Sequence, residues 1–379
     1  MDSNIDFLIV GAGLYGATIA RLLTDAGFNC LIIDRRNHIA GNIYTEKIHG
    51  YDKHVYGPHV FHTDKIDVEN FVKKYSEWNT YIQTIIASDG KKVYHLPFNM
   101  NTYYDIFGII SPIEAFKKIQ EEINTYKVNN PKNLEEQAIN MVGKTIYELL
   151  VKNYTEKQWG KPCTEISPNI IKRLPLRYSF NNNYYNDYFQ AIPKDGYTEF
   201  VKNIIGNIPC LCGMGFTQQS YSYWKNNIKC AIIYCGAIDE LLNYQLGELE
   251  WRSLQFDDSQ YIYEGINGQG IAIKNDITTS KYTRYIEHMW FTPNKVYSGI
   301  TSIITSEQPI KWERGKERFY AVENIDTLVK YQAYKDLLLK EMPKVELGGR
   351  LGKYKYFDMD DAIFEAMKDA EKLIQIHKK

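Results

Sequence analysis

The chain opens on a short unbroken apolar run, Phe7-Leu8-Ile9-Val10, which predicts a buried strand. Glycines punctuate the next residues, Gly11-Ala12-Gly13-Leu14-Tyr15-Gly16, and a helix is expected from Leu14 to Ala26, stopping at Gly27 in a left-handed cap. Cys30-Leu31-Ile32-Ile33 predicts a second strand with Asp34 at its carboxyl end. The middle of the chain changes period. Ser111-Pro112-Ile113-Glu114 reads as a capping box with proline at the first helical position, opening a helix through about Tyr126. Asn133-Leu134-Glu135-Glu136 opens another, to about Val151, and both carry apolar residues at a spacing near 3.6. Strands with turns follow at Tyr261-Ile262-Tyr263, Gly270 to Ile273, Ile286 to Phe291 and Val296 to Ile304, spaced as in an antiparallel sheet. The end returns to α/β texture, with a helix over about Ile325 to Glu341 and a last one from about Asp360.

This order predicts an α/β fold: a Rossmann-like dinucleotide domain (1–77, 193–243 and 317–379) with two insertions, a helical-bundle domain (103–178) and an antiparallel β-sheet domain (78–102, 179–192 and 244–316). Strand, glycine turn, helix and acid together make a dinucleotide cradle. Gly11 permits the turn, Gly13 lets backbone approach a pyrophosphate, Gly16 lets helix pack on strand, and Asp34 can accept from ribose hydroxyls. After Asp34 the chain is polar through Arg35-Arg36-Asn37-His38 and turns at Gly41-Asn42, and Tyr51 to Thr63 does not read as a crossover helix. Backbone wrapping over a larger cofactor fits better than regular βα alternation, which favours FAD over NAD.

Net charge is −1, from 45 basic and 46 acidic residues without a long run of one sign, which argues against nucleic acid or a membrane surface as partner. The first residues carry no basic region ahead of an apolar stretch, Arg21 interrupts the best apolar run, and a cytoplasmic protein is expected. The six cysteines form no C-x-x-C pair, so reduced, partly buried thiols are expected rather than zinc or disulfides. His59 and His62 follow Gly57-Pro58 in an extended segment, where positions three apart face opposite sides; no metal is expected.

Four segments could carry chemistry. Tyr154 through Gly160 places two aromatics around polar residues, suited to a base, although a helix end packed with aromatics would look the same. Ile170 through Arg177 is a loop with three cations, among them Arg173, able to grip a diphosphate or to sit in water. Arg284 stands at the start of a strand as a second diphosphate candidate. Gly348-Gly349-Arg350 lets backbone approach a flat ring, and the helix behind it favours nearby negative charge such as that of a reduced flavin.

Along nearly its whole length the chain resembles bacterial UDP-galactopyranose mutase. The matching phrases are Arg36 through Ile39, Tyr56 through Thr63, Leu96 through Thr102, Asn133 through Ala138, Tyr154 through Gly160, Ile170 through Arg177, Tyr282 through His288 and Gly348 through Met359. The match is weak from about 201 to 280, apart from Trp251-Arg252-Ser253-Leu254. The resemblance implies an FAD-dependent isomerase, active with the flavin reduced, that interconverts UDP-galactopyranose and UDP-galactofuranose. Flavin N5 would attack the anomeric carbon and displace UDP, with no net redox change. It further implies a homodimer and a separate reductant for the flavin, and it leaves the sugar scope open, since some family members also accept UDP-N-acetylgalactosamine. By the same resemblance Tyr154 and Trp159 would hold the uridine, and Arg173 on a mobile lid and Arg284 opposite would neutralise the diphosphate. Tyr184, Tyr320 and Tyr356 would position phosphate, and Asp358 would lie near flavin and sugar. Gly11, Gly13, Gly16, Asp34, Arg35, Gly41, Asn42, His59, Arg350 and Met359 would hold FAD.

The chain departs from the family pattern at Ala40 (usually glycine), Pro58, Phe357 and Phe319-Tyr320-Ala321, and more widely over Tyr51 to Val55, a segment that borders the expected sugar site. Two other readings share the cradle: an amine-oxidase-like flavoenzyme, which needs no diphosphate arginines, and a non-catalytic nucleotide-binding protein.

Overall fold

The computed structural model describes residues 5–171, 174–292 and 299–378. Its first strand is Ile5–Val10, and alternate residues face opposite ways. Phe7 and Ile9 join one buried cluster, Leu8 and Val10 another. Both faces are covered, which is why this strand is apolar throughout rather than alternating. It lies at the centre of a five-stranded parallel sheet in the order Val345–Leu347, Ile228–Tyr234, Ile5–Val10, Cys30–Asp34, Cys210–Cys212. Helices Leu14–Asp25, Tyr197–Ile205 and Met359–His377 lie on one face. Gln218–Asn227 and Ile325–Glu341 lie on the other, through Tyr221, Trp224, Tyr334 and Leu338. The first helix ends as its sequence predicts, with Gly27 at φ +99°.

A seven-stranded sheet runs in the order Tyr320–Ala321, Trp251–Tyr263, Ile300–Lys311, Arg284–Glu287, Ile273–Asp276, Ile85–Ser88, Val93–Leu96. Its neighbours are antiparallel except Ile273–Asp276 on Ile85–Ser88, which are parallel, so the sheet is mixed rather than purely antiparallel. The expected strand at Gly270 to Ile273 begins three residues later, after Gly270 at φ +72°. That expected over Ile286 to Phe291 ends at Glu287 and gives way to a 3₁₀ turn, His288–Phe291. The one expected from Val296 runs instead from Ile300 to Lys311; residues 293–298 lie outside the described residues.

Between the sheets come helices. Met100–Phe107 is closed by a capping box of Asn99 and Thr102, and Pro112–Tyr126 starts on proline. Ser111 makes no side-chain cap, against expectation, although Pro112 does stand at the first helical position. The helix expected from Asn133 to about Val151 is capped by Asn133, which accepts from the Glu136 amide at 3.0 Å, but it ends at Val142. Gly143 (φ +79°) breaks it, and the Glu122 carboxylate caps the restart through the Thr145 amide (2.9 Å) and hydroxyl (2.8 Å). The restarted helix widens to a π-turn over Tyr147–Lys152 and continues as Asn153–Trp159, so Tyr154 lies inside a helix rather than after one. No helix among the described residues is long and apolar enough to cross a membrane.

The first turn tests how closely the elements approach. A Cβ on Gly16 would lie 1.9 Å from the Gly11 carbonyl oxygen, whereas one on Gly27 meets nothing within 4 Å and only its positive φ opposes it. Gly16→Ala is expected to destabilise by about 3 kcal/mol and to lower flavin content, and Gly27→Ala by about 1 kcal/mol without loss of flavin. Denaturant titration and the flavin-to-protein absorbance ratio measure both.

Candidate active site

The cofactor end is built on the first turn of the parallel sheet. Gly13 precedes the first helix, and no side chain caps that helix, so its leading N–H groups can receive an anion. The Asp34 carboxylate is buried at the end of its strand, where it accepts from the Ala12 amide at 2.7 Å and the Arg36 amide at 2.8 Å. The polar segment after it folds back over the turn. The Ala40 amide donates to the Ala12 carbonyl at 2.9 Å, and a Cβ on Gly41 would stand 3.1 Å from Gly13 Cα. Ala40 is left-handed at φ +71°, which explains why glycine is the commoner residue there. Arg36 stacks on Tyr56 and donates to Asn42 Oδ1 at 2.9 Å. Arg35, expected to hold cofactor, is turned toward Glu240 (3.2 Å) and Glu317 (2.9 Å). Of the paired glycines, Gly348 packs against the Tyr15 ring, where a Cβ would stand 2.3 Å from it. The last helix starts with Asp360 and Asp361 in its first turn, so its N-terminus already has negative charge, shared with Lys65.

His59 marks where the cofactor end meets the rest. Burial, then the positive charges of Arg350 and Arg284, push its imidazole down to about 4, so it is neutral at pH 7. Backbone carbonyls of Asn42 and Tyr56 face the ring, while Nε2 is buried without a partner among the described residues. Arg350 lies over the Tyr356 ring at 4.8 Å and donates to the Phe357 carbonyl. Tyr356 donates to Asp358 at 2.8 Å and faces Tyr320 at 6.0 Å between ring centroids. A glycine turn open to an anion, a buried carboxylate for a ribose and an orphaned imidazole nitrogen together suit a dinucleotide that ends in a flat heterocycle.

Arg284 is the centre of the other end. It is mostly buried, and Tyr154, Tyr184, Tyr320 and Glu307 lie within electrostatic reach of its guanidinium. Burial holds the Tyr154 and Tyr320 hydroxyls up at about 12, so both are protonated donors at neutral pH. Trp159 lies five positions after Tyr154, about 140° around the helix, and both pack against the same buried cluster. Arg173 lies outside the described residues. His62 points away from His59: it pairs with Asp187 and stacks on Tyr185.

Several residues that build the site escape a reading of the sequence. Glu307, fully buried, pairs with Arg284 Nε at 2.8 Å. Lys157 donates to the carbonyls of Asp276 (2.8 Å) and Tyr282 (2.6 Å), and Arg252 to that of Gln158 (3.0 Å), clamping the Tyr154 helix to the sheet. A histidine ladder stands behind His59. The His59 amide donates to His54 Nδ1 at 3.1 Å, and the His54 amide to His288 Nδ1 at 3.2 Å. His288 Nε2 therefore carries its proton and donates to Thr305 (2.8 Å), which donates to Asp258 (2.6 Å), the partner of Lys53. Repeated polar-in positions on strands, where alternation predicts apolar ones, were the only available signal.

Against known proteins, a family model of NAD(P)-binding Rossmann-like domains matches residues 9–75 and one of UDP-galactopyranose mutase matches residues 149–356. A crystal structure of reduced UDP-galactopyranose mutase overlays with a TM-score of 0.75 at 14% identity, covering 99% of this chain and 96% of that one. Fold and site thus define a protein with a Rossmann-like dinucleotide domain. A probable UDP-galactopyranose mutase of Klebsiella pneumoniae is 35% identical over 98% of this chain and 95% of its own. The dTDP-fucopyranose mutase of Escherichia coli is 34% identical over 98% of this chain and 99% of its own. The chain belongs to the UDP-galactopyranose mutase family, whose members are isomerases.

The ladder makes stability depend on pH. Burial lowers His288 to about 3 and His54 well below its usual value, alongside His59 at about 4. All three are neutral when folded and take up protons only on unfolding, so stability is complete above pH 6.5 and falls as pH drops toward 4. Removing one histidine, as in His288→Gln, should reduce that slope by about 1.4 kcal/mol per pH unit. Unfolding free energies from denaturant titrations between pH 7 and 4 give the slope; an unchanged slope would contradict the assignment.

Proposed function

We propose that this chain is a cytoplasmic, homodimeric flavoenzyme that interconverts UDP-galactopyranose and UDP-galactofuranose, with FAD as its cofactor and the flavin reduced during turnover. The observation that carries the reading is Arg284: a buried guanidinium paired with Glu307 and within electrostatic reach of Tyr154, Tyr184 and Tyr320, and of His59 at the cofactor end. An oxidase acting on a small amine has no use for such a group. A nucleoside diphosphate that departs and returns needs one.

When bound, a reduced flavin supplies an electron-rich nitrogen able to bond an anomeric carbon. Gly11, Gly13 and Gly41 keep backbone clear for the dinucleotide phosphates, Gly16 brings the helix close, and Asp34 accepts from ribose. Asn42, His59, Arg350 and Met359 border the flavin, and Arg35, paired with Glu240 and Glu317, flanks them. Tyr154 and Trp159 hold the uridine. Arg284 neutralises the diphosphate and stabilises its departure, and the family likeness gives Arg173 the same task. The phenols of Tyr184 and Tyr320 donate to phosphate oxygens, and Tyr356, whose one O–H proton goes to Asp358, is held by that bond where it positions phosphate and sugar. Neutral His59 adds no third positive charge between the two arginines. A separate reductant must recharge the flavin, since the isomerisation itself neither consumes nor yields electrons.

The Escherichia coli relative favours a second substrate pair, dTDP-fucopyranose and its furanose, which changes the base and the sugar's C6 but not the diphosphate. Product chromatography with UDP-galactofuranose, its 2-acetamido analogue and the dTDP-fucose pair, with and without dithionite, separates these. Conversion of UDP-galactofuranose only after reduction is expected; none under any condition would refute the reading. Arg284→Ala should lower turnover about a hundredfold or more while the protein stays yellow, measured by the same assay and by flavin absorbance.

A further inference from the structure

We propose that Glu307 is the positioning residue for Arg284, holding the guanidinium by one edge so that its other edge stays turned to the diphosphate. The inference deepens the function proposed above and rests on it. Arg284 and Glu307 are direct cross-strand partners between Arg284–Glu287 and Ile300–Lys311, so strand register alone sets them face to face. Glu307 Oε1 accepts from Arg284 Nε at 2.8 Å and lies 3.4 Å from the buried Thr283 hydroxyl. Among the described residues neither Nη atom of Arg284 is hydrogen-bonded to protein. The contact is therefore single, on Nε, where a two-pronged fork would have taken one Nη as well.

The second carboxylate oxygen explains why. Glu307 Oε2 is buried without a hydrogen-bond partner, and it abuts Gly57: a Cβ there would stand 3.3 Å from it. Gly57, at φ +95°, begins the turn that carries His59. One side chain thus bears on the arginine and on the turn at the cofactor end, and fixes the distance between them. Its charge also balances a guanidinium that would otherwise be buried alone. Without Glu307 the arginine would still attract a diphosphate but would follow it rather than hold the leaving geometry.

The test compares flavin-loaded wild type, Glu307→Ala, Glu307→Gln and Arg284→Ala. It reads kcat and KM with UDP-galactofuranose, the Kd of UDP by flavin fluorescence, and Tm. Glu307→Ala should lower kcat about a hundredfold while UDP binds as tightly as to wild type or more so. Glu307→Gln, whose amide oxygen still accepts from Nε, should stay within about tenfold of wild-type kcat. Arg284→Ala should weaken UDP binding as well as turnover. The proposal is overturned if Glu307→Ala keeps wild-type kcat, if Glu307→Gln falls as far as Glu307→Ala, or if either weakens UDP as Arg284→Ala does. Those patterns leave an active wild type and so spare the proposed function; a wild type that neither binds UDP nor converts the sugar overturns both.

Discussion

A guanidinium leaves water only beside a counter-charge, and it stays useful only if that counter-charge does not consume all its donors. Arg284 and Glu307 meet both conditions from adjacent strands. Much of the cleft can be understood as support for that pair. The long strand Trp251–Tyr263 pairs along Ile300–Lys311 and keeps Glu307 in register. Thr283 lies against its carboxylate, and the absence of a side chain at Gly57 leaves room for it. Tyr154 and Tyr320 beside the pair are protonated because the same burial that costs the arginine its water also opposes phenolate charge.

The helix bearing Tyr154 belongs to a different part of the chain, and hydrogen bonds add to apolar packing in joining it to this sheet. Lys157 and Asn153 reach carbonyls at the sheet edge, and Arg252 reaches back from the sheet to the last turn of the helix. A Cβ at Gly160 would stand 2.7 Å from the Arg252 guanidinium, so that glycine is required by the clamp as well as by its own φ of +66°. The π-turn just before Tyr154 shifts the phase of the helix and so sets which residues face Arg284.

The dinucleotide half was legible because its signals are local: Gly11 to Gly16, Gly27 and Asp34 each act within a few residues of themselves. Terminal helices matched for the same reason. The helix after Asn133 was misjudged because its interruption depends on Glu122, a side chain of another helix filling the space behind Gly143. In the sheet, boundaries drifted where apolar alternation was broken by buried polar residues such as Thr305 and Glu307, which look like surface positions until their partners are known. Arg284 could be singled out from its sequence neighbours, but its carboxylate, 23 positions away, could not. The role of Trp159 rests on family likeness.

The opening strand and helix are completed by the chain's last residues. The Tyr15 hydroxyl bonds Asp369 across 354 positions at 2.6 Å, the Phe7 ring meets His377 edge-on, and Ile363, Ala366, Ala370 and Leu373 supply part of the cluster beneath the first helix. On the ribosome, the nucleotide cradle therefore emerges long before the helix that covers it. At ordinary elongation rates its apolar face waits on the order of tens of seconds, long enough to need chaperone shelter, and a polypeptide cut short before the final helix would be left with its oldest motif unburied.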